Sequence, residues 1–335
     1  MDQIISKQLR REQLMIIFEK NYDAVSPLWS HHQLEWINSV YRTYKDHDKY
    51  MIVLYLIKKT FDFYSKNFVK LTYAEFFEKE FIEIDRFNVI EVSKALNIPK
   101  ESTRRKINEL QKSGVIKRLG KRIILDKSVF PYIKPENSII RISRFLASLS
   151  NILYNEKVLT EEFDSTHIQD FIKKNFSHIW KTYYEVQIPM LLNWKKVFND
   201  IEIFHIWGVC AVNQKLNSKR KINKKMNKKI YIEKFFFNHK DTQDGVNAMS
   251  ISDISSIPRA TVIRKLNILV KKKYLNINAK KHYTVASDHR ILLSSIQKKN
   301  FNKLAEFVSQ VFNLIIVDKV HFKKNMNLPS YLNPN

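Results

Sequence analysis

An arginine, an asparagine and a lysine, three and four residues apart, stand at Arg105, Asn108 and Lys112, and the same types recur at the same spacing as Arg264, Asn267 and Lys271. On an α-helix such spacing puts each trio on one face. The chemistry this face offers is recognition of base edges and phosphates. An arginine fork pairs with guanine O6 and N7, an asparagine amide pairs with adenine N6 and N7, and a lysine at the far end of the helix supplies charge for a phosphate. Residues 87–116 and 246–275, which hold the two trios, align without a gap at an offset of 159. The identical pairs are Asn88/Asn247, Ser93/Ser252, Ile98/Ile257, Pro99/Pro258, Arg105/Arg264, Lys106/Lys265, Asn108/Asn267, Leu110/Leu269 and Lys112/Lys271. A face that was merely solvated would have little reason to keep three polar identities in both copies.

Further candidates surround each trio. Lys100, Ser102, Arg259 and Thr261 fall in the first helical turn, where backbone N–H groups and basic side chains approach phosphate. Arg104 stands where the second copy has Ile263, so the two copies need not read the same sequence. Downstream basic turns add Arg118, Lys121 and Arg122, and then Lys280, Lys281 and His282. Thr103, Ile107 and Leu110, with Val262, Leu266 and Leu269 in the second copy, take the opposite, core-facing side. No catalytic or metal constellation accompanies them. The ten histidines make no HExxH, the acids form no cluster at metal-ligand spacing, and none of the four glycines belongs to a phosphate-cradling loop. His178 and His205 read as packing residues, and Trp36, Trp180, Trp194 and Trp207 as core.

Each trio needs a helix to carry it. Residues 87–96 suit a short helix with apolar Ile90, Val92, Ala95 and Leu96, which Asn97-Ile98-Pro99 breaks. Pro99 then opens a helix at about 100–113, and Gly114 stops it in the left-handed region. Val115-Ile116, a basic turn containing Gly120, and Ile123-Ile124-Leu125 read as a β-hairpin. ALNIPKESTRRKINELQKSGVI and DISSIPRATVIRKLNILVKKKYL resemble the reading heads of bacterial winged helix-turn-helix transcriptional regulators of the multiple-antibiotic-resistance and GntR-like groups. The resemblance covers roughly a quarter of the chain. It implies that the second helix of each pair enters the major groove while the hairpin wing lies along the backbone or minor groove. The second copy departs from the pattern at Lys273, where a glycine is usual, and its wing (276–285) also lacks one. That puts the sharpness of its helix stop and hairpin in question.

The similarity extends weakly outwards. Phe18, Tyr22 and Pro27 match Trp180, Tyr184 and Pro189 at an offset of 162, and Trp36 matches Trp194 at 158. Helical spacing runs through 8–20, 30–45, 48–66, 137–154, 166–186 and 289–316, with Thr166 and Gln169 offering a capping box. Residues 137–154 carry Ile139, Ile142, Phe145, Leu146, Leu149 and Leu153, and residues 289–316 carry Leu292, Ile296, Leu304, Phe307, Val311 and Ile315. The expected fold is mainly α. It has two similar domains, 1–158 and 159–335, each helical with a winged helix-turn-helix (about 85–127 and 244–287) and a small β-hairpin wing.

Composition sets the frame. The 335 residues carry 58 Lys+Arg against 33 Asp+Glu, a formal net charge of +25, with 44% hydrophobic and 13% aromatic residues. Such a chain folds and attracts polyanions. Only 14 of the basic residues are Arg, so a coding bias towards lysine explains part of the balance. The stretch 215–229 has eight basic residues and no acid, as a solvated loop or a phosphate-contacting arm would. A single Cys210 suits a reducing compartment, the start lacks a signal-peptide core, and no apolar run approaches a membrane span. The expectation is a cytoplasmic, nucleoid-associated protein that binds double-stranded DNA sequence-specifically, with no cofactor, no metal, no membrane contact and no enzymatic activity. It would act as a transcriptional regulator with two reading heads in one chain, homodimerisation remaining open. The rivals are a plasmid- or phage-type replication initiator and a winged-helix protein–protein scaffold.

Overall fold

The computed structural model describes residues 8–127, 136–220, 226, 228–237 and 245–326. It is mainly helical, with small antiparallel sheets. Three helices lead: α1 (Arg11–Lys20), α2 (Tyr22–Tyr44) and α3 (His47–Lys66). Then come α4 (Tyr73–Glu78), β1 (Phe81–Ile84), the helix pair α5 (Val89–Leu96) and α6 (Lys100–Lys112), the hairpin β2 (Ile116–Leu119) and β3 (Arg122–Asp126), and α7 (Glu136–Asn155). The succession returns as α8 (Ser165–Lys174), α9 (Phe176–Phe198), α10 (Ile201–Arg220) and α11 (Lys228–Phe237). It closes with α12 (Ala248–Ser255), α13 (Arg259–Lys271), β4 (Leu275–Ile277), β5 (Tyr283–Val285) and α14 (Arg290–Met326). β1 makes the first hairpin three-stranded, in the order β1-β3-β2, whereas its counterpart in the second half is a single bridge between Val246 and Tyr283.

The lead helices repeat in a register of their own. α1, α2 and α3 have 10, 23 and 20 residues, and so do α8, α9 and α10, each displaced by 154 positions. Asn21 and Asn175 hold the same bend, with φ −108° and −111° and ψ 33° in both. The amide of each donates back to a carbonyl four residues earlier, Ile17 O at 3.0 Å and Phe171 O at 3.1 Å. Lys45 and Asn199 end their helices in the left-handed region, at φ 52° and 60°. Asp46 then accepts from the Lys49 N–H at 3.1 Å and Asp200 from the Glu202 N–H at 2.7 Å, capping helices whose first N–H groups lack intrahelical partners. The outward matches at 162 and 158 therefore do not mark equivalent places. Pro27 lies near the start of α2 and Pro189 beyond the middle of α9; aromatic residues are common enough here to align by composition.

The two halves interlock. α2 packs on α10 and, reciprocally, α9 on α3; α1 lies against α14 and α8 against α7. One continuous cluster of buried apolar side chains runs through both halves, from Phe18 and Trp29 to Phe307 and Phe312. Polar contacts follow the same crossings. Asn313 accepts from the Leu9 N–H at 2.8 Å and donates to the Leu9 carbonyl at 3.0 Å, and Lys174 pairs with Asp318 at 3.1 Å.

Several local expectations change. α2 begins at Tyr22 and runs through Pro27 instead of starting near residue 30. The single helix expected over 166–186 is two, parted at Asn175, and α9 continues to Phe198. Asp164 caps α8, its Oδ1 accepting from the Thr166 and His167 N–H groups at 2.8 and 2.9 Å, so Thr166 is inside the helix and no capping box forms. Ile90 and Leu292 face solvent. The basic stretch from residue 215 begins as the last turns of α10, and Met226 is buried; residues 221–225 and 227 lie outside the described part.

Candidate nucleic-acid interface

Both helix pairs are built from the repeated residues. Asn88 and Asn247 cap α5 and α12, accepting from the Glu91 N–H at 2.8 Å and the Ser250 N–H at 2.9 Å. Asn97 and Ser256 end those helices in the left-handed region, at φ 49° and 60°. The Ser93 and Ser252 hydroxyls each donate at 2.7 Å to the carbonyl of the buried Ile98 or Ile257. Pro99 and Pro258, at φ −53° and −54°, start α6 and α13. Thr103, Ile107 and Leu110 turn inward, as do Val262, Leu266 and Leu269.

Lys106 and Lys265 behave unlike surface lysines. They are buried, and each reaches the acid that caps a lead helix: Lys106 pairs with Asp46, and Lys265 with Asp200 and, at 2.7 Å, with Glu202. Burial raises the Asp46 and Asp200 carboxyl pKa values, but the lysine and the capped N–H groups outweigh it and hold both below the usual carboxylate range. Lys49 to Glu109 at 2.6 Å adds a second tie between α3 and α6. Each exposed helix is thus pinned to the start of a core helix. This role was missed in the sequence because a lysine on a basic helix reads as solvated. The signal was present in the pairing of two identities, Lys106/Lys265 and Asp46/Asp200.

The remaining identities have no such work. Arg105, Asn108, Lys112, Arg264, Asn267 and Lys271 are all exposed. Among the described residues Asn108, Lys112, Arg264, Asn267 and Lys271 make no side-chain hydrogen bond or ion pair, and Arg105 has only a 3.8 Å approach to Glu109. Lys100, Arg104 and Arg259 are exposed on the same helices, Arg104 lying 3.2 Å from Glu101, and Ser102 and Thr261 are half-buried in the first turns.

The first hairpin presents Arg118, Lys121 and Arg122 to solvent, with Arg122 over the Phe81 ring at 6.0 Å. The second presents Lys280 and Lys281, while His282 is half-buried against Gly245, where a Cβ would stand 2.8 Å from the His282 Cβ. Its missing glycines are replaced by lysines in the same backbone region. Lys273 has φ 57° where Gly114 has 77°, and Lys281 has φ 58° where Gly120 has 59°. Both helix stop and hairpin therefore form.

Between the pinned turns lies a polar cleft of about 300 Å³, lined among others by Asp46, His47, Asp48, Asp200, Glu202 and Lys265. Beneath it runs a buried chain. His205 Nε2–H donates to Asn38 Oδ1 at 2.6 Å, which leaves Nδ1 to accept from His47 Nε2–H at 3.2 Å. Burial holds both rings neutral, lowering His47 to about 4 and His205 well below its ordinary value. His32 is lowered to about 3 by burial and the nearby Arg141, and sits 3.0 Å from the Tyr183 hydroxyl. Among the described residues no group of three or more His, Cys, Asp and Glu could hold a metal ion, and no helix is long and apolar enough to cross a membrane.

Comparison with protein-family models, with curated proteins and with solved structures finds no match to this chain.

Proposed function

We propose that this chain binds double-stranded DNA sequence-specifically through two winged helices carried in one polypeptide, α6 and α13 serving as reading helices and the two hairpins as wings. One observation carries the reading. Six of the nine repeated identities are consumed in building the heads, and the three that are not (Arg105/Arg264, Asn108/Asn267 and Lys112/Lys271) form a matched, exposed face whose one contact among the described residues is the 3.8 Å approach of Arg105 to Glu109. Arginine and asparagine on such a face suit guanine and adenine edges, and the terminal lysine suits phosphate. Regulation of transcription is the use we assign to such a reader.

Selection of bound duplexes from a random pool provides the cognate site and the test. At that site Arg105→Ala or Arg264→Ala should cost about 1–3 kcal/mol and relax preference at one position of the corresponding half. Lys112→Ala should weaken all sequences alike and make the dependence of log K on log[salt] shallower by about one. Retention of wild-type affinity and preference by the Arg105→Ala, Arg264→Ala double variant would remove the assignment. Selected sites scattered singly before genes support regulation, whereas sites iterated at one locus favour replication initiation.

A further inference from the structure

The strongest unassigned feature is an aromatic chamber in the core between α2, α9, α10 and α14, with a second lobe beneath α11. The lobes measure about 60 and 40 Å³ and share Trp194, Trp207, Lys215 and Gln297. At roughly 10–15 Å³ for each water-sized group, they hold about seven to ten such groups. The walls are ring faces: Trp194 and Phe204 stack at 5.0 Å, and Trp207 leans on Trp194 at 5.4 Å.

The polar atoms lining the chamber are unbalanced. Among the described residues Trp207 Nε1, Gln297 Nε2, Asn300 Nδ2 and Gln33 Nε2 are buried donors with no partner, against the unpartnered acceptor Gln33 Oε1 and the Tyr231 hydroxyl, which can donate or accept. Asn300 Oδ1 accepts from Asn193 Nδ2 at 2.9 Å, which leaves Nδ2 as the atom without a partner among the described residues. Buried polar groups left unpaired are costly, so a donor-rich cavity suits an acceptor-rich occupant.

Lys215 adds charge. Its Nζ donates to Ser26 Oγ at 3.1 Å and Ser30 Oγ at 2.6 Å and lies 5.9 Å from the centre of the Phe235 ring, and among the described residues no carboxylate pairs with it. Burial lowers its pKa to about 7, as expected for an ammonium without a counter-ion. Two carboxylates on α2 and α1 are engaged elsewhere: Asp23 accepts from the Met226 N–H and Glu19 from Lys228.

A glycine completes the picture. Gly208 stands inside α10, where glycine weakens a helix, and a Cβ there would meet nothing within 4 Å. It lines the chamber and keeps that wall open.

We propose that this chamber binds a small planar carboxylate, its anion on Lys215 Nζ and the unpaired N–H donors and its ring among Trp194, Phe204 and Trp207. The inference does not rest on duplex binding.

Benzoate is the probe, titrated calorimetrically and by thermal melting into the full chain. The expected result is saturable binding at millimolar concentration or below, with a melting temperature that rises with ligand concentration. Benzamide, the neutral isostere, should bind roughly tenfold more weakly or worse. Gly208→Leu should fill the chamber and abolish benzoate binding, as should Lys215→Met, with helical circular dichroism retained. No benzoate binding in the wild type overturns the proposal and leaves the donors to buried water. Equal affinity for benzamide also overturns it, as does benzoate binding that survives in Gly208→Leu.

Discussion

Lys273 and Lys281 hold backbone conformations that an L-residue adopts at a cost and glycine adopts freely. Gly114, in the equivalent place of the first half, has φ 77° and no such cost. The expected outcome is asymmetric. Gly114→Ala should destabilise the chain by about 1–2 kcal/mol, whereas Lys273→Gly should be neutral or stabilise it by up to about 1 kcal/mol, both read from denaturant melts. At this scale the sequence was informative about outward-facing residues. The line Arg105, Asn108 and Lys112 was legible because burial of Thr103, Ile107 and Leu110 fixes where its opposite side points. Inward-facing lysines were not legible. Lys106, Lys265 and Lys215 owe their positions to Asp46, Asp200 and two serines on other helices, and helical periodicity carries no information about partners 60 or more residues away.

Elements meet through charge at two equivalent joints. α6 joins α3 through Lys106 and Asp46, and α13 joins α10 through Lys265 with Asp200 and Glu202. A double-mutant cycle with Lys106→Met and Asp46→Asn should return a coupling energy of about 1–3 kcal/mol, since the lysine is buried and the acid partly exposed. Coupling below about 0.5 kcal/mol would mean that packing alone seats the helix. Element type was readable where amphipathic periodicity was strong, as in α7, whose Ile139, Ile142, Phe145, Leu146, Leu149 and Leu153 are all buried. It failed where a helix is apolar on most sides. α9 buries most of its residues and leaves only a narrow part-exposed stripe through His178, Lys181, Glu185, Pro189, Leu192 and Lys196, so its far half offered little polar face to mark it.

At the scale of the whole molecule the halves fold around each other, and their titrating groups are shared. His32 lies against Tyr183, and His47 against His205, so both histidine contacts cross from one half to the other. All three rings are neutral in the fold, with His32 and His47 lowered to about 3 and about 4 and His205 lowered well below its ordinary value. Below about pH 6.5 the unfolded chain takes up protons that the native one refuses, so stability is full above that pH and is lost as pH falls towards about 4. Guanidinium melts at about pH 7 and about pH 5 should differ by roughly 2 kcal/mol for each of His32 and His47, with His205 acting in the same direction. They should also show one transition, because a single core serves both halves. Equal midpoints at the two pH values would contradict the buried network. The repeat itself was visible from residues 87–116 and 246–275, but interlocking was not. A repeat of similar units reads equally well as two separate bodies, and the crossing of α2 with α10 and α9 with α3 is a property of surfaces that only three dimensions bring together.

One difference between the matched faces has a consequence for direction. α6 carries Arg104 where α13 carries Ile263, and the first hairpin turns tightly on Gly120 whereas the second uses a longer turn through Lys281. A symmetric pair of identical subunits sits on a palindrome equally well either way round. Under the proposed reading, a fused pair with unlike heads does not: its preferred site would have a left and a right, and the chain would lie on it with one polarity. Any surface elsewhere on the molecule would then face a defined end of the duplex. An arrow would be written into the complex by the divergence of two copies of one helix.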